Sequence, residues 1–386
     1  MSKQLRKDNH RIIFISSNEP IPTFRRKINL LYRKNYEVHL IYWHRNKSLI
    51  NMPMTLDIPT QNIIKIELLE PFGNFFKRLL LNMVFFFRVK KYISALKPDA
   101  LHINNIDIFI LFASMKIFYR KMHFVLDLID TREGFLKSAA SKVSRWSLKA
   151  LDLVFVTSPR YYDDFLKLID PGLPSERVLF VPNAPLRSDF EGFRKNKRDD
   201  ITIGYFGFLR GYVSISQLVS VLNELNATGK KFSVIFAGIG QERPLVEKLA
   251  AQYSFVEYFG PFDYKDILKL YQRVDLIYSV YLLDHNKKIH MSCRLSEAIN
   301  CGIPIIVQNG SYQADYVRKY DIGYVVDYGQ QQQLFDILEY LYDHRDDVCR
   351  KSENCQNIKH EHVFETYEDR IVEKYDELVR SRVENS

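Results

Sequence analysis

The chain has 386 residues, enough for two domains of ordinary size. With 46% hydrophobic and 26% charged residues it is globular in composition, and its four cysteines predict a reducing compartment rather than a disulfide framework. The polar N-terminus lacks the apolar core of a signal peptide, and no apolar run reaches the roughly 18–20 residues of a membrane-spanning helix. We therefore expect a cytoplasmic protein.

The charge is unevenly distributed along the chain, whose net charge is +9. Residues 1–190 contain 30 Lys and Arg against 17 Asp and Glu, whereas the remaining residues contain 25 against 29. A basic half joined to a mildly acidic half indicates that one domain meets an anionic partner. Nucleic acid and a membrane surface both fit this charge.

Strand-like and helix-like segments alternate throughout, which is typical of α/β folds with parallel sheets. In the first half the predicted strands are RIIFIS (11–16), YEVHLIYW (36–43), NIIKIEL (62–68), ALHIN (100–104), HFVLDLI (123–129), LDLVFVTS (151–158) and RVLFVP (177–182). In the second half they are ITIGYFG (201–207), KFSVIFAG (231–238), FVEYFG (255–260), VDLIYSV (274–280), IPIIV (303–307) and GYVVDY (323–328). We predict an N-terminal Rossmann-like domain over 1–186, a charged linker over 187–200, a C-terminal Rossmann-like domain over 201–362 and a C-terminal helix over 363–386 that packs back toward the N-terminal domain.

Residues 71–98 of the basic half combine six cations with no carboxylate. The cations are Lys77, Arg78, Arg88, Lys90, Lys91 and Lys97. Phe76, Leu80, Met83 and Phe87 form one helical stripe, and further phenylalanines lie elsewhere, so the apolar surface exceeds what one buried face needs. Such a helix can lie in a membrane interface, or it can be a crossover helix with a solvated basic edge, and both can hold. Nucleic-acid binding is less favoured because no RNA- or DNA-binding signature is present.

In the second half, glycine turns follow the first two strands. They lie at 207–211 and 238–240, and the stretch 281–294 follows a later strand. Ligands bind beyond the carboxyl ends of the strands in such sheets, and uncovered amides near helix N-termini attract phosphate. Neither turn is a complete dinucleotide or P-loop motif, so each one alone also fits an ordinary strand-to-helix connection.

The segment HMSCRLSEAINCGIPIIV (290–307) places Arg294 and Glu297 three residues apart on one helix face. An arginine near a helix N-terminus can hold a diphosphate, and a carboxylate one turn deeper can accept from ribose hydroxyls. Gly302 and Pro304 predict a left-handed cap that ends the helix. A surface ion pair between Arg294 and Glu297 is the alternative interpretation.

RLSEAINCGIPIIV resembles the K-L-x-E…G-x-P-V-I segment of GT-B nucleotide-sugar glycosyltransferases, especially the group 1 family, also called glycosyltransferase family 4. Further segments are similar to the family's motifs in the right order: PDALHINNIDIFI, LDLVFVTSPRYYDDFL with VLFVPNAP, ITIGYFGFLRG, VIFAGIGQERPLVEKLA and VEYFGPFDYKDILKLYQRVDLIYSV. The resemblance implies an α/β GT-B fold that binds an NDP-sugar between two Rossmann-like domains, mostly on the C-terminal one.

Carried over by position, the resemblance implies roles for particular residues. Arg210 and Arg294 would hold the diphosphate, Glu297 would bind the ribose, and Phe262 would lie in the turn beside the base. Gly207, Gly238 and Gly240 would form the floor of the site, and Leu295 belongs to the same donor-binding group.

Two positions depart from the family pattern. Ile289 replaces the first glutamate of the family's E-x7-E motif, which leaves the contacts to the donor sugar undefined. In the N-terminal domain Ile129 replaces a histidine after Asp127, so Asp130 is the nearest carboxylate and an inverting mechanism with Asp130 as the base stays open.

The sequence therefore predicts a metal-independent, retaining hexosyltransferase that needs no cofactor. It would move a sugar from an NDP-sugar to a lipid-linked or polysaccharide acceptor in cell-surface glycan synthesis. Lys77, Arg78, Arg88, Lys90 and Lys91 would face the acceptor and an anionic membrane at its cytoplasmic side. A non-hydrolysing sugar-nucleotide epimerase and a non-catalytic nucleotide-sugar-binding protein are the alternatives.

No metal site is predicted. Cys349 and Cys355 precede His360 and His362, but their spacing matches no usual zinc site.

Overall fold

The computed structural model describes residues 10–44, 56–68, 75–131, 138–196 and 200–384, with the side chains of 75–79, 138–141 and 381–384 outside the description. The predicted contacts of Lys77 and Arg78 therefore lie outside the described residues. Within the described chain, no helix is long and apolar enough to cross a membrane.

The strands and helices alternate as the sequence predicts. The strands are β1 (Arg11–Ser16), β2 (Glu37–His44), β3 (Ile63–Glu67), β4 (Ala100–Asn104), β5 (His123–Leu128), β6 (Leu153–Val156), β7 (Val178–Phe180), β8 (Ile201–Phe208), β9 (Phe232–Ile239), β10 (Val256–Gly260), β11 (Leu276–Ser279), β12 (Ile305–Gln308) and β13 (Gly323–Val326). The helices are α1 (Pro22–Arg33), α2 (Phe75–Leu96), α3 (Ile106–Ala113), α4 (Ser138–Leu148), α5 (Lys167–Ile169), α6 (Tyr212–Ala227), α7 (Arg243–Gln252), α8 (Ile267–Tyr271), α9 (His285–Ile289), α10 (Cys293–Cys301), α11 (Tyr312–Tyr320), α12 (Gln331–Asp343), α13 (Arg345–Ile358) and α14 (Glu368–Glu384).

The chain divides into two compact units. The first comprises residues 1–181 and 367–386, so α14 belongs to it, and the second comprises residues 182–366. The segment 187–200, predicted to be a linker, is assigned to the second unit. Lys195 Nζ lies 2.6 Å from Asp275 Oδ1, and Asn196 donates to the carbonyl of Gln272 at 3.0 Å, which attaches this segment to that unit.

The first unit is built on a parallel sheet with strand order β3-β2-β1-β4-β5-β6-β7. Each connection from β3 to β4 and onward to β7 leads toward the β7 edge of the sheet, whereas the connection from β1 to β2 leads toward the β3 edge. Because parallel crossovers are right-handed, α2, α3, α4 and α5 share one face of this sheet and α1 covers the other. The predicted strands are confirmed, with ends that differ by a few residues.

A charged cluster is buried inside the first unit. Lys27 Nζ on α1 lies 2.6 Å from Asp127 Oδ2 at the end of β5, and both side chains are almost fully buried. His102 Nε2 on β4 is 3.6 Å from the same oxygen, and the Tyr375 hydroxyl on α14 hydrogen-bonds to His102 Nδ1. Removing two charges from water is costly unless they are paired and hydrogen-bonded, so this cluster ties α1, the sheet and α14 into one arrangement.

Burial controls the protonation of this cluster. It lowers the pKa of His102 to about 4 even though Asp127 favours the charged imidazole. Burial acts to raise the pKa of Asp127, but Lys27 and His102 together bring it below the ordinary value. The native cluster is therefore a lysine–aspartate ion pair beside a neutral histidine.

The second unit is built on a parallel sheet with strand order β10-β9-β8-β11-β12-β13. Aliphatic and aromatic side chains from β8, β9 and β11 pack with α6 and α12 into its core. At the end of α10, Gly302 adopts φ +63°, and Pro304 follows before β12, which confirms the predicted left-handed cap.

The histidine in the buried cluster predicts a pH dependence of stability. The folded pKa of His102 is about 4 and its unfolded pKa is about 6.5, so the unfolded chain takes up the proton first as the pH falls. Between about pH 7 and about pH 5 this group alone should lower the free energy of unfolding by about 2 kcal/mol.

Urea unfolding at both pH values measures this effect. His102→Asn should reduce the dependence of the free energy of unfolding on pH. An equal pH dependence in wild type and His102→Asn would show that His102 does not take up a proton on unfolding.

Candidate functional site

The carboxyl ends of β8 and β9 approach so closely that side chains do not fit between them. Gly207 pairs with Gly238, and a Cβ added to Gly238 would lie 1.8 Å from the Gly207 carbonyl oxygen. A Cβ on Gly240 would lie 2.0 Å from the carbonyl oxygen of Leu209. The two glycine turns predicted from the sequence therefore lie directly against each other.

Hydrogen bonds fix the turn that carries Arg210. The Leu209 amide donates to Ile239 O at 2.7 Å, and the Tyr205 hydroxyl donates to Arg210 O at 2.9 Å. Gly211 then adopts φ +86° immediately before α6. The direction of the Arg210 side chain thus depends on both strands and on a buried tyrosine.

Arg294 lies beside this turn, in the first turn of α10. Its Cζ is 5.9 Å from the centre of the Tyr205 ring, and a Cβ on Gly207 would lie 3.9 Å from its Nε. Arg294 Nη1 and Arg210 Nε are both sealed from solvent without a hydrogen-bond partner in the described chain, and neither arginine forms an ion pair there. A buried unpaired guanidinium N–H is costly, so this arrangement favours an anion between the two side chains.

Tyr281 belongs to the same site and is the second residue after the end of β11. Its hydroxyl accepts from Gln313 Nε2 at 2.9 Å, and Ser292 Oγ donates to Gln313 Oε1 at 2.6 Å. Burial raises the pKa of Tyr281, and the nearby Arg294 and Arg210 oppose this rise. The protonated hydroxyl can therefore help to bind an oxyanion held by both arginines.

Sequence reasoning did not assign roles to Tyr205, Tyr281 or Gln313. Tyr281 lies in the stretch 281–294 that follows a strand, and this position was a usable signal. Tyr205 reads as an ordinary core residue of β8, and Gln313 lies on α11, so their contacts follow from the tertiary structure.

Glu297 is buried on α10, with 4% of its surface exposed. The Tyr271 hydroxyl donates to its Oε2 at 3.0 Å, and the ring of Tyr271 packs edge-on against Phe206. The surface ion-pair interpretation is therefore wrong, and the carboxylate is held in a fixed position by a tyrosine.

Two other predicted donor-binding residues, Leu295 and Phe262, differ in burial. Leu295 is fully buried and its amide already donates to Ser292 O at 3.2 Å, so a direct contact between Leu295 and a ligand does not fit the structure. The leucine instead anchors α10 in the core, because the side chain after Arg294 points inward. Phe262 is half-buried in the turn after β10.

The two carboxylates near the end of β5 have different environments in the first unit. Asp127 is occupied by the buried ion pair with Lys27. Asp130 is exposed beyond the strand, and its amide donates to Asn105 Oδ1 at 3.4 Å. Of the two, Asp130 is therefore the carboxylate that a ligand can reach.

In the described part of the chain no group of three or more His, Cys, Asp or Glu side chains is arranged to hold a metal ion. Cys355 is buried and its thiol points to Ile322 O at 3.9 Å, whereas Cys349 is exposed.

Comparison with known proteins identifies a family that matches the second unit. The family model of glycosyl transferases group 1 matches residues 188–360. Among the curated proteins compared with the chain, none matches it in sequence.

Solved structures match the whole fold. Sucrose-phosphate synthase from Thermosynechococcus elongatus has a TM-score of 0.74 at 14% identity, over 96% of this chain and 100% of that chain. HepE from Anabaena, in complex with UDP-glucose, has a TM-score of 0.70 at 16% identity, over 95% of this chain and 99% of that chain. WaaG, a glycosyltransferase involved in lipopolysaccharide biosynthesis, has a TM-score of 0.64 at 15% identity, over 93% of this chain and 99% of that chain.

The chain thus has the GT-B fold that these solved structures share. Its residues 188–360 match the family of glycosyl transferases group 1, in agreement with the resemblance seen in the sequence.

The close backbone approach predicts that Gly240 does not tolerate a side chain. Gly240→Ala should lower the free energy of unfolding by about 2–4 kcal/mol, because its Cβ meets the backbone of Leu209 and the strands must separate. Gly172→Ala is the matched control, because Gly172 also has no positive φ and its added Cβ would have no neighbour closer than 3.7 Å. Thermal unfolding of both variants measures the difference, and equal melting temperatures would contradict the close approach.

Proposed function

We propose that the protein transfers a sugar from an NDP-sugar donor to a lipid-linked or polysaccharide acceptor in cell-surface glycan synthesis. The observation that carries this proposal is the pair Arg210 and Arg294, of which Arg210 Nε and Arg294 Nη1 are buried with no hydrogen-bond partner in the described chain. A diphosphate supplies the oxygens that these groups lack, and bidentate arginine contacts suit its geometry. The structures of HepE in complex with UDP and with UDP-glucose support a nucleotide-sugar donor.

The remaining donor contacts follow from the same edge of the sheet. The glycine turns at Gly207, Gly238 and Gly240 would form the floor beneath the phosphate and the nucleoside. Glu297, oriented by Tyr271, would accept from the ribose hydroxyls, and Phe262 would lie beside the base. NDP is thus the common part of every donor that we propose for this site.

We propose that the transfer is metal-independent and retaining. Positive charge placed where the departing diphosphate gains negative charge lowers the barrier, and Arg210 and Arg294 would supply it. An inverting transfer would instead need a base for the acceptor hydroxyl, and the exposed Asp130 is its candidate. The anomeric configuration of the product, followed by NMR early in the reaction, distinguishes the two outcomes.

Hydrolysis of the donor tests whether the protein is an enzyme. A transferase should release NDP slowly from its donor when water replaces the acceptor, and the release should accelerate with the correct acceptor. A non-catalytic binding protein would retain the donor intact. An epimerase would convert the sugar nucleotide to its epimer without releasing NDP as the product of transfer.

Arg294 provides the sharpest mutational test. Arg294→Ala should lower kcat/KM by about 10²-fold or more, because a charged donor to the leaving diphosphate is lost. Arg318→Ala on α11 is the control, because Arg318 belongs to the same unit but interacts with Asp315 at 3.8 Å. Donor turnover and thermal unfolding are measured for both variants, and unchanged turnover in Arg294→Ala would remove this residue from the site.

We also propose that the protein associates peripherally with an anionic membrane, at its cytoplasmic side, through α2. Arg88, Lys90 and Lys91 are exposed on this helix. Leu80, Met83 and Phe87 of the predicted stripe are exposed too, and the fourth member, Phe76, lies outside the described side chains. Phe85, Val89 and Ile93 on the same helix are buried in the core. A helix with a buried face and an exposed apolar and basic face fits a membrane interface.

Removing the charges of α2 tests this membrane contact. Each Lys or Arg near an anionic leaflet contributes about 1 kcal/mol, so Arg88→Gln, Lys90→Gln and Lys91→Gln together should weaken vesicle binding by about 3 kcal/mol. The control changes the exposed Lys248, Lys319 and Lys359 of the second unit to Gln. Co-sedimentation with phosphatidylglycerol vesicles measures both, and binding that is equally strong in the two triple variants would contradict the role of α2.

A further inference from the structure

The exposed apolar residues of the first unit are confined to one face. In the described chain, ten of the sixteen exposed large hydrophobic residues belong to this unit, and all ten lie on α2, α4, α5 or the segment 114–118. These elements share one side of the sheet, and α1 and α14 contribute none of the ten. A soluble surface distributes such residues singly, so this asymmetry calls for a partner.

The segment after α3 carries the most exposed aromatic residue of this face. Phe118 is 80% exposed, next to the exposed Ile117, and Arg120 and Lys121 follow it. The Tyr119 hydroxyl lies 2.8 Å from Ser94 Oγ, which joins this segment to the end of α2. The exposed apolar surface of α2 therefore continues onto the neighbouring loop.

A similar pattern occurs on α4, which packs against α3. Val143 and Trp146 are exposed there, and Lys142, Arg145 and Lys149 surround them. Residues 142–149 contain no carboxylate, and residues 80–121 contain two, Asp99 and Asp107, of which Asp99 is buried. Basic residues near the ends of helices also interact with the helix dipole, but this does not account for an exposed tryptophan and an exposed phenylalanine.

We propose that Phe118 and Trp146 insert into the interface of an anionic lipid bilayer, so that the outer surface of α2, the segment 114–121 and α4 docks as one face. Phenylalanine and tryptophan partition into the boundary between headgroups and acyl chains, and the surrounding lysines and arginines meet anionic headgroups. This inference deepens the proposed membrane partner and rests on it, but it adds an apolar contact that salt does not screen.

The chain contains an internal reporter of this insertion. Of its two tryptophans, Trp43 is fully buried and stacked on Phe85, whereas Trp146 is 46% exposed. Adding vesicles of phosphatidylglycerol and phosphatidylcholine should shift the tryptophan emission to shorter wavelength and allow quenching by brominated lipid. Trp146→Phe should abolish both changes, since the remaining Trp43 is already shielded.

Binding of variants provides the second measurement. Phe118→Ser with Trp146→Ser should bind anionic vesicles about tenfold or more weakly than wild type, and the binding that remains should disappear as salt rises. Tyr340→Ser is the matched control, because Tyr340 is an exposed aromatic residue of the second unit. Circular dichroism and NDP affinity are measured in parallel to show that each variant is folded.

An emission spectrum that vesicles do not change overturns this inference, and so does a Phe118→Ser, Trp146→Ser variant that binds as well as wild type. If the charge variants of α2 lose binding while Trp146 reports no insertion, the electrostatic contact stands and the insertion does not. Failure of the proposed transferase activity would be seen in donor turnover, which is independent of these readings.

Discussion

The close approach of β8 and β9 at their carboxyl ends is the constraint on which the candidate site depends. Because Gly238 and Gly240 have no Cβ, the backbone of the turn at Gly207 and Leu209 can lie directly against them. This contact places the Arg210 carbonyl within reach of the Tyr205 hydroxyl. The same tyrosine ring lies near the Arg294 guanidinium on α10. This one backbone contact thus helps to position both arginines that we propose to bind the diphosphate.

The buried charges of Lys27 and Asp127 in the first unit are paired, whereas Arg210 and Arg294 in the second unit have no ion-pair partner in the described chain. In the first unit Lys27 is paired with Asp127 and supported by His102 and Tyr375, which makes the cluster a structural element. In the second unit Arg210 and Arg294 carry buried N–H groups without a carboxylate. An unpaired buried charge lowers stability, which is why these two arginines are the centre of the proposed diphosphate site.

The basic excess of residues 1–190 lies on the surface of the first unit, because the charges of the buried Lys27 and Asp127 cancel. The helical layer formed by α2, α3 and α4 carries exposed cations together with exposed apolar residues, whereas α1 and α14 cover the opposite side of the sheet. The second unit contains the residues that match the group 1 family and the proposed donor site. The proposed donor and membrane contacts therefore lie in different units, so a substitution in one of these surfaces does not directly change the other.

Sequence alone was sufficient for the alternation of strands and helices, the glycine turns and the cap at Gly302. These features depend on local periodicity, on the missing Cβ of glycine and on the fixed φ of proline, all of which are visible in a short segment. The segment around Arg294 was recognisable for the same reason, since a helix N-terminus and its arginine are neighbours in the chain.

Tertiary structure decided the roles of residues whose partners are distant in sequence. Glu297 was open to two interpretations until the Tyr271 hydroxyl was found on it, 26 residues away. Leu295 lies next to Arg294, yet it points into the core, because neighbouring positions on a helix face different directions. The sheet also decided which apolar stripe of α2 is buried and which is exposed. Periodicity identifies the apolar faces of a helix, but it does not show which of them packs against the sheet.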